Sequence, residues 1–280
     1  MSVITPTSGA SHPSSPVLDR SPAHALRPVA HESHFDLLCF ARNMGSVVFT
    51  IALPVVMLLI FATVFSNATV EVPGGTVNES VYYVPAIITF GLISANFSNI
   101  LVTVVRYREA GIYKRRRATP VAASTIVTGR AGVAVLTGLA ITAVLLAIGW
   151  AGFGASIPGH TAPAFILFVV LGSVVLCCLG FAVASLVSEA DAAQPAAQLI
   201  VLPVCFISGV FIPIKELPSW LQDVGKVFPV HAVNDALLAA YNPHTAGLGL
   251  NWADLAVLVV WGLAALAVAG RHFSWLPRGT

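Results

Sequence analysis

Pro163–Val187 reads PAFILFVVLGSVVLCCLGFAVASLV, a run without one charged side chain. A helix needs roughly 20 mostly apolar residues to cross a hydrocarbon core of about 30 Å, so this run is long enough to span a bilayer. Hydrocarbon offers no water to backbone N–H and C=O groups, which makes the run helical. Five further stretches share its character: Ser46–Ser66, Val81–Val105, Ala131–Trp150, Pro195–Ile214 and Trp252–Gly270. None of the six holds a Lys or Arg, and their only acidic residue is Asp254, at the start of the last. The expected fold is an all-α integral membrane protein with six transmembrane helices. Composition agrees: 57% of the 280 residues are hydrophobic and 9% are charged, against about 25% charged in a soluble domain.

The distribution of Lys and Arg sets the expected orientation. Arg20, Arg27 and Arg42 precede the first span; Arg106, Arg108 and Lys114–Arg117 lie between spans two and three; Arg271 and Arg278 follow the last. With alternating spans these fall on one side, while the opposite side holds only Lys215 and Lys226. Both termini are therefore expected in the cytoplasm, with Asp254 near the outer surface. Residues 1–33, rich in Ser, Pro, His and Ala, read as a disordered cytoplasmic tail. They lack the apolar core of a signal peptide. Residues 34–272 form the expected membrane domain and 273–280 a short cytoplasmic tail. In His34–Met44, Leu37, Phe40 and Ala41 share a helical face, the pattern of an amphipathic helix on the inner surface. The four cysteines, Cys39, Cys177, Cys178 and Cys205, outline no disulfide framework. The Lys-poor, Ala- and Val-rich composition reads as bacterial, so the Asn67-Ala-Thr and Asn78-Glu-Ser glycosylation patterns are taken as chance matches.

Span two is the most polar. Ser94, Asn96, Ser98, Asn99 and Thr103 crowd its centre, and Asn96, Asn99 and Thr103 are spaced to share one helical face. Amides within a membrane turn toward protein or water rather than lipid. This face therefore reads either as the lining of a translocation route or subunit contact, or as ordinary bonding between helices. Small residues at four-residue spacing, Ser124-Thr128-Gly132 and Gly180-Ala184-Ser188, suit close helix packing. No metalloprotease, Cys-x-x-Cys or nucleophile-elbow motif is present, and no phosphate-binding Gly-x4-Gly-Lys-Ser/Thr loop either. The chain is not expected to bind ATP through a P-loop of its own. The spans also lack the midplane carboxylates used for ion coupling.

Two segments outside the spans carry more information. The loop after span two runs RYREAGIYKRRRATP from Arg106 to Pro120. The segment after span five runs from Phe211 to Asn251. In it Leu217, Trp220, Leu221 and Val224 form a stripe suited to the outer membrane interface, and a second short helix, about His231–Ala240, follows Pro229. A surface pairing of His231 with Asp235 is expected on that helix.

Together these segments resemble the permease family of type-2 ABC exporters, in particular the drug-resistance branch related to the daunorubicin permease. The inner-loop match is Glu109, Gly111, the basic run Lys114–Arg117, and Thr119-Pro120-Val121; the outer match is Ser208-Gly209, Phe211-Ile212-Pro213, Leu217-Pro218-Ser219-Trp220-Leu221 and Pro229. The likeness covers about Phe35 to Arg271. It departs at Ile112 and Lys114, where many relatives carry Thr and a nearby acid. The resemblance implies a homodimer, or a heterodimer with a paralogue, above two copies of a separate ATPase that holds ATP and Mg. This chain would bind no cofactor. Phe35, Leu38 and Arg42, with Arg108, Glu109, Gly111, Lys114, Arg115 and Thr119, would meet that ATPase. Ser94, Asn96, Asn99 and Thr103 would line the route or the dimer contact near the dimer axis. The outer segment would re-enter the bilayer or lie at its surface and cap the route.

The function so implied is outward movement of a hydrophobic or amphipathic compound (drug, natural product or lipid-like) across a bacterial cytoplasmic membrane. Nucleic acid is not an expected partner. The alternatives are a permease for lipid-linked polysaccharide or envelope glycan, and a non-transporting membrane scaffold or sensor. An intramembrane enzyme would need paired acids or histidines inside the spans.

Overall fold

The computed structural model describes residues 44–65, 69–72, 75–112, 123–155, 158–245 and 247–272. The elements in order are α1 (Met44–Val64), a hairpin of β1 (Thr69–Val72) and β2 (Gly75–Asn78), α2 (Glu79–Leu92), a π turn (Ile93–Ser98) and α3 (Asn99–Glu109). There follow α4 (Ala123–Phe153), α5 (Ala162–Ala184), α6 (Ala190–Ile207), a 3-10 turn (Ile214–Glu216), α7 (Ser219–Val227), α8 (Pro229–Tyr241) and α9 (Trp252–His272). Among the described residues, five helical segments are long and apolar enough to cross a membrane: the continuous rod of α2, π turn and α3, then α4, α5, α6 and α9. Helix α1 is also apolar and passes through Pro54 unbroken.

Several features differ from the sequence reading. The connection after α1, where no strand is expected from the sequence, is an antiparallel hairpin pairing Thr69 with Asn78 and Val70 with Val77. Helix α4 begins at Ala123, well before Ala131, because nothing in Ala123–Arg130 breaks a helix. Its 31 residues make about 46 Å at 1.5 Å per residue, several turns more than hydrocarbon requires. Helix α6 stops at Ile207 instead of running to Ile214. Gly209 there takes φ +79°, and Val210 N–H reaches back to Cys205 O at 3.1 Å, a glycine-stopped helix end.

Helix α5 is the hub. It packs against α3, α4, α8, α9 and the π turn, while α6 packs on α3, the π turn, α7 and α8. The core runs between them through Tyr83, Ile87, Leu92, Leu101, Phe168, Leu176 and Phe181, all fully buried. Glycines set the closest approaches. A Cβ at Gly180 would lie 2.9 Å from Phe97 O and 3.2 Å from Ile100; one at Gly138 of α4 would meet Ser173 Oγ more closely still and lie 3.4 Å from Asn96 Nδ2. Of the small-residue repeats in the sequence, Gly180 makes such a contact, and on α4 a close contact also falls at Gly138, outside the repeat.

Gly180→Ala should therefore push a methyl against a backbone carbonyl that cannot swing aside, lowering stability by about 1–3 kcal/mol. Gly152→Ala meets nothing within 4 Å and should be neutral or slightly stabilising. Thermal denaturation in detergent, followed by size-exclusion chromatography, compares the two; equal melting would remove the close-contact reading.

Candidate functional site

The end of the bundle that carries Arg106, Arg108 and Arg130 is built on α3. Helix α3 ends where Ala110 N–H bonds Arg106 O at 2.9 Å and Gly111 N–H bonds Arg108 O at 3.1 Å. Gly111 then turns with φ +68°, a conformation glycine adopts without a Cβ clash. Arg108 is only 3% exposed. Its guanidinium donates to Ala184 O at 3.1 Å, to Val187 O, and to Ser188 O at 3.1 Å. Those carbonyls belong to the last turn of α5 and the connection beyond it, where a helix leaves acceptors unpaired. Glu109 Oε2 accepts the N–H of Ala190, the first residue of α6, at 3.2 Å. Arg130 of α4 lies over the Tyr107 ring, 5.2 Å from its centroid, and is itself buried.

The polar stretch of span two does not present one face. Asn99 N–H bonds Ser94 O, five residues back, so the rod holds one extra residue per turn here and its phase shifts. Asn96 is 1% exposed, with Nδ2 toward Gly138 and no hydrogen-bond partner among the described residues. Ser94, Asn99 and Thr103 are half-buried, and Thr103 Oγ1 donates to Asn99 Oδ1 at 3.3 Å. The expected common face is thus divided: Asn96 sits inside the protomer, and the other three lie nearer its surface.

At the opposite end, the motif from Ser208 to Pro213 forms the turn that follows α6. Tyr82 OH donates to Gly209 O and Tyr83 OH to Phe211 O, each at 3.3 Å. Asn234 Nδ2 donates to Gly209 O at 3.2 Å and Ser208 O at 3.4 Å, and His231 Nδ1 lies 3.2 Å from Ser208 O. Phe211 packs among Phe61, Phe90 and Phe206. Beyond the 3-10 turn, Pro218 ends in extended backbone and opens α7. Trp220 and Val224 are exposed on α7, whereas Leu217 and Leu221 are half-buried. Gly225 lets α7 approach Ile207 of α6 closely. Pro229, buried, starts α8, which packs between α2, α5 and α9.

His231 and Asp235 take different partners instead of pairing. Asp235 Oδ2 faces Asn251 Nδ2 at 3.5 Å and lies beside Asp254, which is buried in the first turn of α9. A cleft of about 770 Å³ opens next to them, lined by Thr245, Leu248, Asn251 and Trp252 among others. No group of three or more His, Cys, Asp or Glu suited to a metal occurs among the described residues. Phe35, Leu38, Arg42, Lys114, Arg115 and Thr119, the inner-surface helix and both terminal tails lie outside the described residues.

Sequence reasoning missed Tyr82, Tyr83 and Asn234 as holders of the turn. Their only signal is a polar tip on an otherwise apolar helix face. It also missed that Arg108 is buried. Within its run of basic residues, Arg108 differs only by falling one turn before Gly111.

Comparison with known proteins bears on this arrangement. Over 174 residues, 61% of the chain, it is 26% identical to the "Probable multidrug ABC transporter permease YbhR" of two Escherichia coli strains. The chain spans about half the length of these curated relatives, 47% of each. The model of the ABC-2 type transporter family matches residues 34–242, from ahead of α1 through the clamped turn to the end of α8. The chain belongs to the ABC-2 type transporter family.

Proposed function

We propose that this chain is the permease subunit of an ATP-driven exporter, with a hydrophobic or amphipathic compound as cargo. The observation that carries the reading is the family match across residues 34–242, on a bundle whose long helices prolong one basic end. In this reading α1 is the sixth span, both termini lie in the bacterial cytoplasm, and residues 34–272 make up the membrane domain. A separate ATPase, holding ATP and Mg, docks under Phe35, Leu38, Arg42 and the loop carrying Gly111, Lys114, Arg115 and Thr119. A second permease copy or paralogue completes the route. The multidrug label of the curated relatives and the aliphatic spans favour a drug- or lipid-like cargo over a glycan.

Ser94, Asn99 and Thr103 are the polar groups proposed for the route or the dimer contact, and Asn96 is assigned to packing inside the protomer. Helix α7 would lie at the outer interface with Trp220 at headgroup level, and α8 would dip into the outer leaflet to cap the route.

The tagged chain should bring a P-loop ATPase with it when purified in mild detergent from its host. Inverted vesicles bearing the pair should then accumulate doxorubicin only when ATP is supplied. A chain that arrives without an ATPase in several detergents would favour the scaffold or sensor reading. At the route, Asn99→Cys should be labelled by an aqueous thiol reagent in at least one nucleotide state, and Asn96→Cys in none. Equal protection of the two would remove Asn99 from the route.

A further inference from the structure

Helix α6 is buried along one narrow face, Ala193, Ala197, Val201 and Cys205, against its neighbours. The rest of its surface is open in the single chain, with Leu199, Leu202 and Phe206 exposed along it. Its two ends are held firmly. The far end enters the turn bound by Tyr82, Tyr83 and Asn234. At the near end, the residue preceding α6, Glu189, makes no side-chain cap bond of its own. The first N–H of α6 goes instead to Glu109 of α3. The neighbouring residue, Arg108, occupies the carbonyls that close α5. A cation thus sits at a helix C-terminus and an anion at a helix N-terminus, each where the helix dipole favours it. Both come from successive residues of one helix, so α3 grips the two sides of the α5–α6 connection at once. The grip resists slipping because a guanidinium that is 3% exposed would lose its acceptors without gaining water.

We propose that Arg108 and Glu109 are an internal coupling link: Glu109 acts on the transport cycle by positioning α6, not by touching the ATPase. The proposal rests on the permease reading and deepens it. A push on the basic loop beyond Gly111 displaces the end of α3, and the link passes that displacement to the near end of α6. Helix α6 carries it to the Ser208–Pro213 turn at the opposite end. Glu109 is a positioning residue here, and the contact surface with the ATPase lies further along the loop.

The two roles separate on one conservative variant. Glu109→Gln keeps an amide oxygen that accepts the Ala190 N–H, while Glu109→Ala does not. In vesicles bearing the permease with its ATPase, Glu109→Gln should transport doxorubicin within about twofold of wild type. Glu109→Ala should lose about fivefold in transport per ATP hydrolysed, the scale of one lost hydrogen bond to a charged group at an exposed helix end. ATPase retention on the tagged chain should be unchanged in both. If both variants lose ATPase binding alike, Glu109 is a partner contact and the link is overturned while the permease reading stands. Wild-type transport by Glu109→Ala overturns the link as well. A second measurement needs no ATPase: spin labels at Ala110 and Ala192, both exposed, report the spacing of α3 and α6 in detergent. A narrow distance in wild type and Glu109→Gln that broadens in Glu109→Ala supports the link; a broad distance in wild type overturns it. Broadening in Glu109→Ala in a chain that binds no ATPase would leave Glu109 as the holder of α6 but overturn its coupling role together with the permease reading.

Discussion

An unpaired backbone N–H or C=O has no partner in hydrocarbon, so every break in a membrane helix must be closed by protein. Among the described residues, the closures on either side of α6 come largely from one rod. Tyr82 and Tyr83, at one end of it, bind the turn after α6. Arg108 and Glu109, at the other, bind the connection before α6. The rod can do this because it is the most buried of the candidate spans, at 83%, and so is held by its neighbours along most of its length. Helix α6 takes much of its position from the rod, against which one narrow face of it packs.

That dependence explains which parts of the fold were legible. The long apolar runs were readable because charge is expensive in hydrocarbon and its absence is visible residue by residue. Their ends were less so. Residues Ser208–Ile214 stay apolar, so hydropathy alone carries α6 past its true end, and only Ser208-Gly209 marks the stop. The hairpin after α1 had its signals in Val70, Val72 and the Gly74-Gly75 pair, but such short strands carry little weight beside a neighbouring membrane span.

The candidate site was legible in kind but not in placement. The polar cluster of span two and the motif after span five were both visible as sequence. Assigning Asn96 and Asn99 to one face assumes a constant helical period, and nothing in Ile93–Ser98 announces that the period changes there. Arg108 stands among Arg106 and Lys114–Arg117, and a sequence shows charge without showing burial. Its role appears only once α5 and α6 are seen to end beside it.

The π turn makes the length of the rod as consequential as its composition. It is in effect an α-helix with one residue too many, wedged between Gly138 and Gly180. Deleting a single residue there would let the rod close into a regular helix. Everything beyond would keep its orientation, because the turn already absorbs the extra residue; the same deletion in a regular stretch of the rod would rotate everything beyond it by about 100°, the angular step of one residue. The guanidinium of Arg108 would swing off the end of α5 even though no residue touching it had changed. Between Tyr83 and Arg108, but outside the π turn of Ile93–Ser98, substitutions should thus be far better tolerated over evolutionary time than single-residue insertions or deletions.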